Sequence, residues 1–231
     1  MKSQSPTLKI LTALSVLLFL AALVMVFFFT PLEETMNYVQ KVFYFHISNA
    51  WVGMLGFMVA AVAGIAYLVS HNRKWDNLEM AAIEISLVFF MIAIMLGSIW
   101  ARPVWNTWWT WDPRLTTAAI VELIYLACLL LRQGIDDPDR RARFSAVYTL
   151  VGSLSVPIAF LSIRLFRTIH PVVIGNGSAN SQGSFAMSSP MLATMLFCLF
   201  TFSVIFVTLL WHRVRLENLM VKVEDRQMEI L

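Results

Sequence analysis

The sequence predicts an all-α integral membrane protein of about six transmembrane helices, with both termini in the cytoplasm and a Trp-rich loop on the outer face. Three observations carry this expectation. The 231 residues are 59% hydrophobic and only 13% charged, well under the charged fraction of about a quarter found in soluble domains, and the mean hydropathy is +0.73. Six apolar blocks approach the roughly 20 residues that a helix needs to cross a bilayer. Lys and Arg gather on alternate connecting segments, as the positive-inside rule requires. No Gly/Ser-rich or Pro-rich linker divides the blocks, so residues 1–231 read as a single membrane domain.

The first block, residues 8–29, follows Lys2 and Lys9 and has no small-residue cleavage site at its end, so it reads as a retained helix and not a signal peptide. The others are residues 45–70, 78–99, 115–131, 146–163 and 190–211. Each is expected to be helical, because an open strand edge leaves its backbone unsatisfied in hydrocarbon. With the N-terminus inside, the cytoplasmic segments hold twelve Lys and Arg, against five on the other side: Lys41, Arg102, Arg114, Arg164 and Arg167. That bias sets the orientation. The inner loops, 71–77 and 132–145, are short and charged, with Asp136-Asp137-Pro138-Asp139 as a turn. The outer loops are 30–44, 100–114 and 164–189.

Several function classes lose support here. The net charge of +3 is scattered over short segments and forms no nucleic-acid-binding face. Cys128 and Cys198 sit singly in apolar runs, which suits small buried core residues. No GxxxxGK[ST] motif is present, and Gly175-Asn176-Gly177-Ser178 reads as a turn in the last outer loop, so ATP use belongs to a partner and an enzymatic role is not expected. Glu84 and Glu122 lie within spans without a chain of ionisable companions, which favours structural hydrogen bonding over a proton relay. There is no internal repeat and no inverted pair of broken hydrophobic segments to mark a secondary-transporter site.

The outer loops carry the unusual chemistry. Residues 100–111 hold five of the eight tryptophans, Trp100, Trp105, Trp108, Trp109 and Trp111. An interfacial belt explains scattered indoles, but this density suits an aromatic platform for a large planar ligand. Asp112 before Pro113 is how a helix start is written, N-cap then first position, and the same carboxylate can orient an indole or a ligand group. Of the four histidines, His71 and His212 fall at cytoplasmic helix ends, whereas His46 and His170 share the face of the tryptophans. A lone interfacial His is ordinarily a satisfied polar residue. Two beside an aromatic platform suit the axial positions of haem iron, while zinc would want three or four ligands at short spacing. Arg102, Arg114, Arg164 and Arg167 are placed either to pair with haem propionates or to snorkel towards headgroups.

The string Trp105-Asn106-Thr107-Trp108-Trp109-Thr110-Trp111-Asp112-Pro113-Arg114-Leu115-Thr116 resembles the "WWD" signature of the haem-handling proteins of cytochrome c maturation. Its ending and the six-span length are similar to the CcmC, or haem exporter protein C, branch. Phe45-His46 and Thr168-Ile169-His170 match that family's two haem-ligand histidines, so the likeness covers almost the whole chain. One departure is Asn106, where the family commonly has Gly. The resemblance implies haem b held between His46 and His170 on the loop of Trp105, Trp108, Trp109, Trp111 and Asp112, with Arg102 and Arg114 nearby. It further implies a bacterial inner-membrane location, a site facing the periplasm, and hand-off to a periplasmic haem chaperone (CcmE-like). The other implied partners are a small single-span subunit (CcmD-like) and an ABC transporter pair (CcmA/CcmB-like). Two further classes compete: a membrane-bound b-type haem electron carrier, and a secondary transporter subunit with an ordinary Trp belt.

Overall fold

The structure is a computed structural model describing residues 5–34, 36–173 and 187–230, with backbone alone at 221–222 and 224–230. It is helical throughout, with no strand among the described residues, and six helices are long and apolar enough to cross a membrane. Helix α1 (Pro6–Val24) runs into a π-helical turn, Met25–Phe29; α2 is Gln40–Ser70, α3 Arg73–Trp105 and α4 Pro113–Gln133. The fifth span is α5 (Pro138–Ser153) with α6 (Ser155–Leu165), and the sixth lies in α7 (Ser189–Ile230). The interruption at Leu154 follows from Pro157, which has no N–H to return to the carbonyl of Ser153 four residues back.

Helix starts are written locally. Ser5, Asn72, Asp112 and Asp137 each accept a backbone N–H of the following turn, and Pro6, Pro113 and Pro138 occupy first-turn positions. The helices extend beyond the apolar blocks, so the expected loops 30–44, 71–77, 100–114 and 132–145 are partly helical. Only His71 and Asn72 separate α2 from α3, and residues 106–112 separate α3 from α4. Hydropathy sees the apolar, bilayer-crossing part of a helix, whereas the backbone bonding continues into polar flanks. Helix α3 even carries Pro103 near its end, where the only carbonyl deprived of its helical donor is that of Ile99.

Helix α2 packs along α3, α5 and α7. A methyl group on Gly56 would stand 1.9 Å from Ser86 Oγ and 2.8 Å from the Phe206 ring, so α3 and α7 meet α2 where it has no side chain. Phe57 of α2 stacks on Tyr125 of α4 at 3.8 Å in the main core. Cys128 and Cys198 are both buried and free, as expected.

Polar residues inside the bundle are mostly paired. Arg132 holds Asp76 with two hydrogen bonds of 2.6 and 2.9 Å, and Ser145 and Thr149 donate to Glu79 Oε1. Glu84 accepts two bonds from Arg213, a structural role of the expected kind. Glu122 is buried with its Oε2 unpartnered. Lys41 is buried, and its Nζ donates to the carbonyls of Val26, Phe27 and Thr30, which the π turn leaves without helical donors. His71 ends α2 in a left-handed conformation, while His212 lies inside the long α7 and bonds Thr12. The Gly175–Ser178 turn, Lys2 and the side chains of Lys222 and Arg226 lie outside the described residues.

Candidate functional site

The end of the bundle that carries the connections after α1, α3 and α6 holds a partly open, mostly apolar pocket, of the kind in which small-molecule sites are found. Its walls come from α2, α3, the start of α4 and the segment after α6. His46, on the second turn of α2, and His170, in the non-helical stretch after α6, both line it, with ring centres 6.5 Å apart and planes tilted by 40°.

Both rings are oriented through Nδ1. Nδ1 of His46 bonds the carbonyl of Ala93 at 2.8 Å, and Nδ1 of His170 bonds the carbonyl of Pro171 at 3.1 Å. A carbonyl only accepts, so the proton sits on Nδ1 in each ring, and Nε2 keeps the lone pair that a metal needs. Gly97, one turn beyond Ala93 on α3, leaves the space in which the His46 ring lies. Burial pushes His170 down to about 3, with Arg114 and His46 adding to the shift and the Pro171 carbonyl opposing it. The ring is therefore neutral at ordinary pH.

The sequence-predicted residues separate into two groups. Trp105, Trp109 and Arg114 line the cavity with the two histidines. The Trp105 ring lies 6.4 Å from that of His170 and meets Trp100 edge-on at 5.0 Å. Arg114 is half-buried, donates to the carbonyl of Ala159 and has no ion pair among the described residues. Trp108 and Trp111 do not line the cavity; they are 58% and 77% exposed, and the Trp111 ring meets that of Trp109 edge-on at 5.6 Å. Arg102 is also outside it, donating to the carbonyl and Oδ1 of Asn106 at the end of α3. Asn106 there has φ 56°, a conformation that Gly and Asn tolerate best, which accounts for Asn where a glycine would serve. Arg164 and Arg167 are exposed and do not line the cavity.

Asp112 caps α4 as its sequence context predicts, accepting from Leu115 N at 2.9 Å, and it is not a wall of the cavity. Its other oxygen accepts from Thr168 and Ile169. Gly97 and Ala93 carry no signal of their own in the sequence, and Thr168 stands there only as part of the Thr168-Ile169-His170 string. Ala93, Gly97 and Trp100 follow one another on a single face of α3, and that period was the available signal. Among the described residues, no group of three or more His, Cys, Asp and Glu stands close enough to hold a metal ion.

The family model described as "Heme exporter protein C" matches residues 1–229. The chain belongs to the haem exporter protein C family. Among its relatives in this family, the protein of Bradyrhizobium diazoefficiens is 35% identical over 188 residues, 81% of this chain and 70% of that protein. The haem exporter protein C of Escherichia coli K12 is 32% identical over 204 residues, 87% of this chain and 78% of its own length. That of Rhodobacter capsulatus is 35% identical over 154 residues, covering 67% and 64%. Membership agrees with a multi-pass membrane architecture and with the branch of the WWD proteins suggested by Arg114-Leu115-Thr116.

Proposed function

We propose that this protein binds haem b between His46 and His170 at the periplasmic end of a single inner-membrane domain. It delivers the haem to a periplasmic chaperone during c-type cytochrome maturation. The observation that carries the reading is the histidine pair. The two rings stand with centres 6.5 Å apart in one cavity, and each is held through Nδ1 by a backbone carbonyl, which leaves Nε2 free to ligate. Haem iron needs no more than two protein ligands, which fits a site without a third metal-binding side chain.

In this reading haem is cargo, and the chain's own groups hold it. Trp105 and Trp109 supply flat apolar contact, Arg114 receives a propionate, and the exposed Trp108 and Trp111 face the incoming chaperone. The ordered Nδ1–carbonyl bonds keep both ligands ready, while neutral imidazoles without a carboxylate partner leave the iron exchangeable. The chain works with a single-span subunit and an ABC transporter pair that supplies ATP, and has no enzymatic step of its own. The orientation follows from the Lys and Arg bias. Lys41 and Arg114, two of the five cations on the site side, point into the protein and further weaken the charge of that side.

The test is the absorption spectrum of detergent-purified protein, wild type and His46→Ala and His170→Ala, with and without the chaperone. A Soret band weakened in both variants, and passed to the chaperone only by wild type, is expected. A wild-type protein that takes up no added haem overturns the reading.

A further inference from the structure

We propose that Asp112 is the positioning residue of His170: it holds the histidine's backbone in place through Thr168 and Ile169 and does not itself touch the cargo. The proposal rests on the reading of His170 as a haem ligand. His46 is carried by a helix whose backbone bonds fix it, but His170 stands in the non-helical residues 166–173 that follow α6. Something other than a helical ladder must set its place.

The carboxylate of Asp112 is divided between two tasks. Oδ1 accepts from Leu115 N at 2.9 Å and caps α4. Oδ2 accepts from Thr168 Oγ1 at 2.5 Å and from Ile169 N at 3.2 Å. Thr168 Oγ1 in turn accepts from His170 N at 3.1 Å. Two successive amides of the ligand stretch are thereby tied, one directly and one through a buried hydroxyl, to the residue that also starts α4. Since Arg114 stands two residues further along the same helix, one carboxylate sets the spacing between the His170 ligand and the cavity's cation. A charged acceptor makes the stronger kind of hydrogen bond, and here it spans two segments that are far apart in sequence.

Two variants separate this role from helix capping. Asp112→Asn keeps an acceptor for Leu115, and Asn caps as well as Asp, but its amide nitrogen cannot accept from Ile169. Thr168→Val leaves Asp112 and the cap untouched and removes the bridging hydroxyl, and Thr168→Ser restores it. Hydrogen exchange in the haem-free protein and the haem spectrum read the two levels. Amides of residues 166–173 exchange faster by about tenfold in Asp112→Asn and Thr168→Val, with α4 unchanged. In both variants, added haem loses its six-coordinate signature in the same direction as in His170→Ala, while Thr168→Ser resembles wild type. Unchanged exchange at 166–173 in both variants overturns the proposal. So does a wild-type spectrum in both when His170→Ala has lost the signature. A His170→Ala protein that keeps the wild-type spectrum overturns the ligand reading instead, and the exchange result still decides whether Asp112 holds the segment.

Discussion

Gly97 of α3 and His46 of α2 are in such close contact that a methyl group on Gly97 would stand 2.8 Å from the imidazole Cε1 and 3.1 Å from Nδ1. Nδ1 is also the atom held by the Ala93 carbonyl, so the ring cannot back away without losing that bond. Gly97→Ala is expected to favour the helix by up to about 1 kcal/mol, while overpacking costs roughly 1–3 kcal/mol. The net effect on melting is small, and the damage falls on His46. Haem titration followed at the Soret band should show affinity reduced by about tenfold, corresponding to about 1.4 kcal/mol; undiminished affinity would mean that the ring position is not set by this contact.

Haem ligation by His170 should be insensitive to mild acid. An ordinary imidazole titrates near 6.5, and below that value protons compete with the metal for Nε2. In the folded protein His170 is lowered to about 3, first by burial and then by the Arg114 charge and the neighbouring His46 ring. The neutral ligand form therefore persists as pH falls from 7 to about 5, and competition starts only as pH approaches 3. Spectra across that range should keep their ligand signature down to about pH 5. A signature lost with a midpoint near 6.5 would show that the ring is solvated and not buried as described.

The division between what the sequence disclosed and what it did not has a physical origin. Six spans were legible because crossing a bilayer imposes a length and an apolarity that any window detects. Helix ends were not, since Arg73 and Trp105 extend α3 by backbone bonding that leaves no hydropathy trace. In the site, His46, His170, Trp105, Trp109 and Arg114 meet around one cavity at one end of the bundle. Trp108 and Trp109 are neighbours in sequence, yet only Trp109 lines the cavity, a distinction that residue density cannot draw. The Ala93 carbonyl and the space at Gly97 are backbone features, and only the folded chain sets them against His46.

Far from the cavity, Arg132 and Asp76 form a buried bidentate pair between α4 and α3. Arg73 stands 3.8 Å from the same carboxylate and compensates it only in part, so Arg132→Met should destabilise the protein by about 1–3 kcal/mol. The double variant Asp76→Leu/Arg132→Met leaves no stranded charge and should recover most of that loss. Thermal unfolding in detergent measures both. Equal destabilisation in the single and double variants would count against a paired role.

Lys41 offers a similar test at the site end. Its ammonium meets three carbonyls at the π turn, and Lys41→Met would keep the stem while leaving them unpaired. The expected loss is about 1–3 kcal/mol, read as a lower melting temperature, with haem binding retained by the protein that stays folded.

Arg114 gives the sharpest test of what the cavity recognises. Its guanidinium reaches the cavity from the first turn of α4, bonds the Ala159 carbonyl, and forms no salt bridge among the described residues, although the Asp112 charge acts on it from a distance. A cation left in that state in a partly apolar cavity suits a ligand that brings its own carboxylate. A charged hydrogen bond contributes about 1.5–3 kcal/mol, so Arg114→Leu should lower haem affinity by roughly 10- to 100-fold. The same variant should bind haem dimethyl ester, which has no free propionate, about as well as wild type does. If both ligands lose affinity equally, Arg114 supports the fold of the cavity and does not read the propionate, and the polar end of the cargo must then be sought elsewhere on this face.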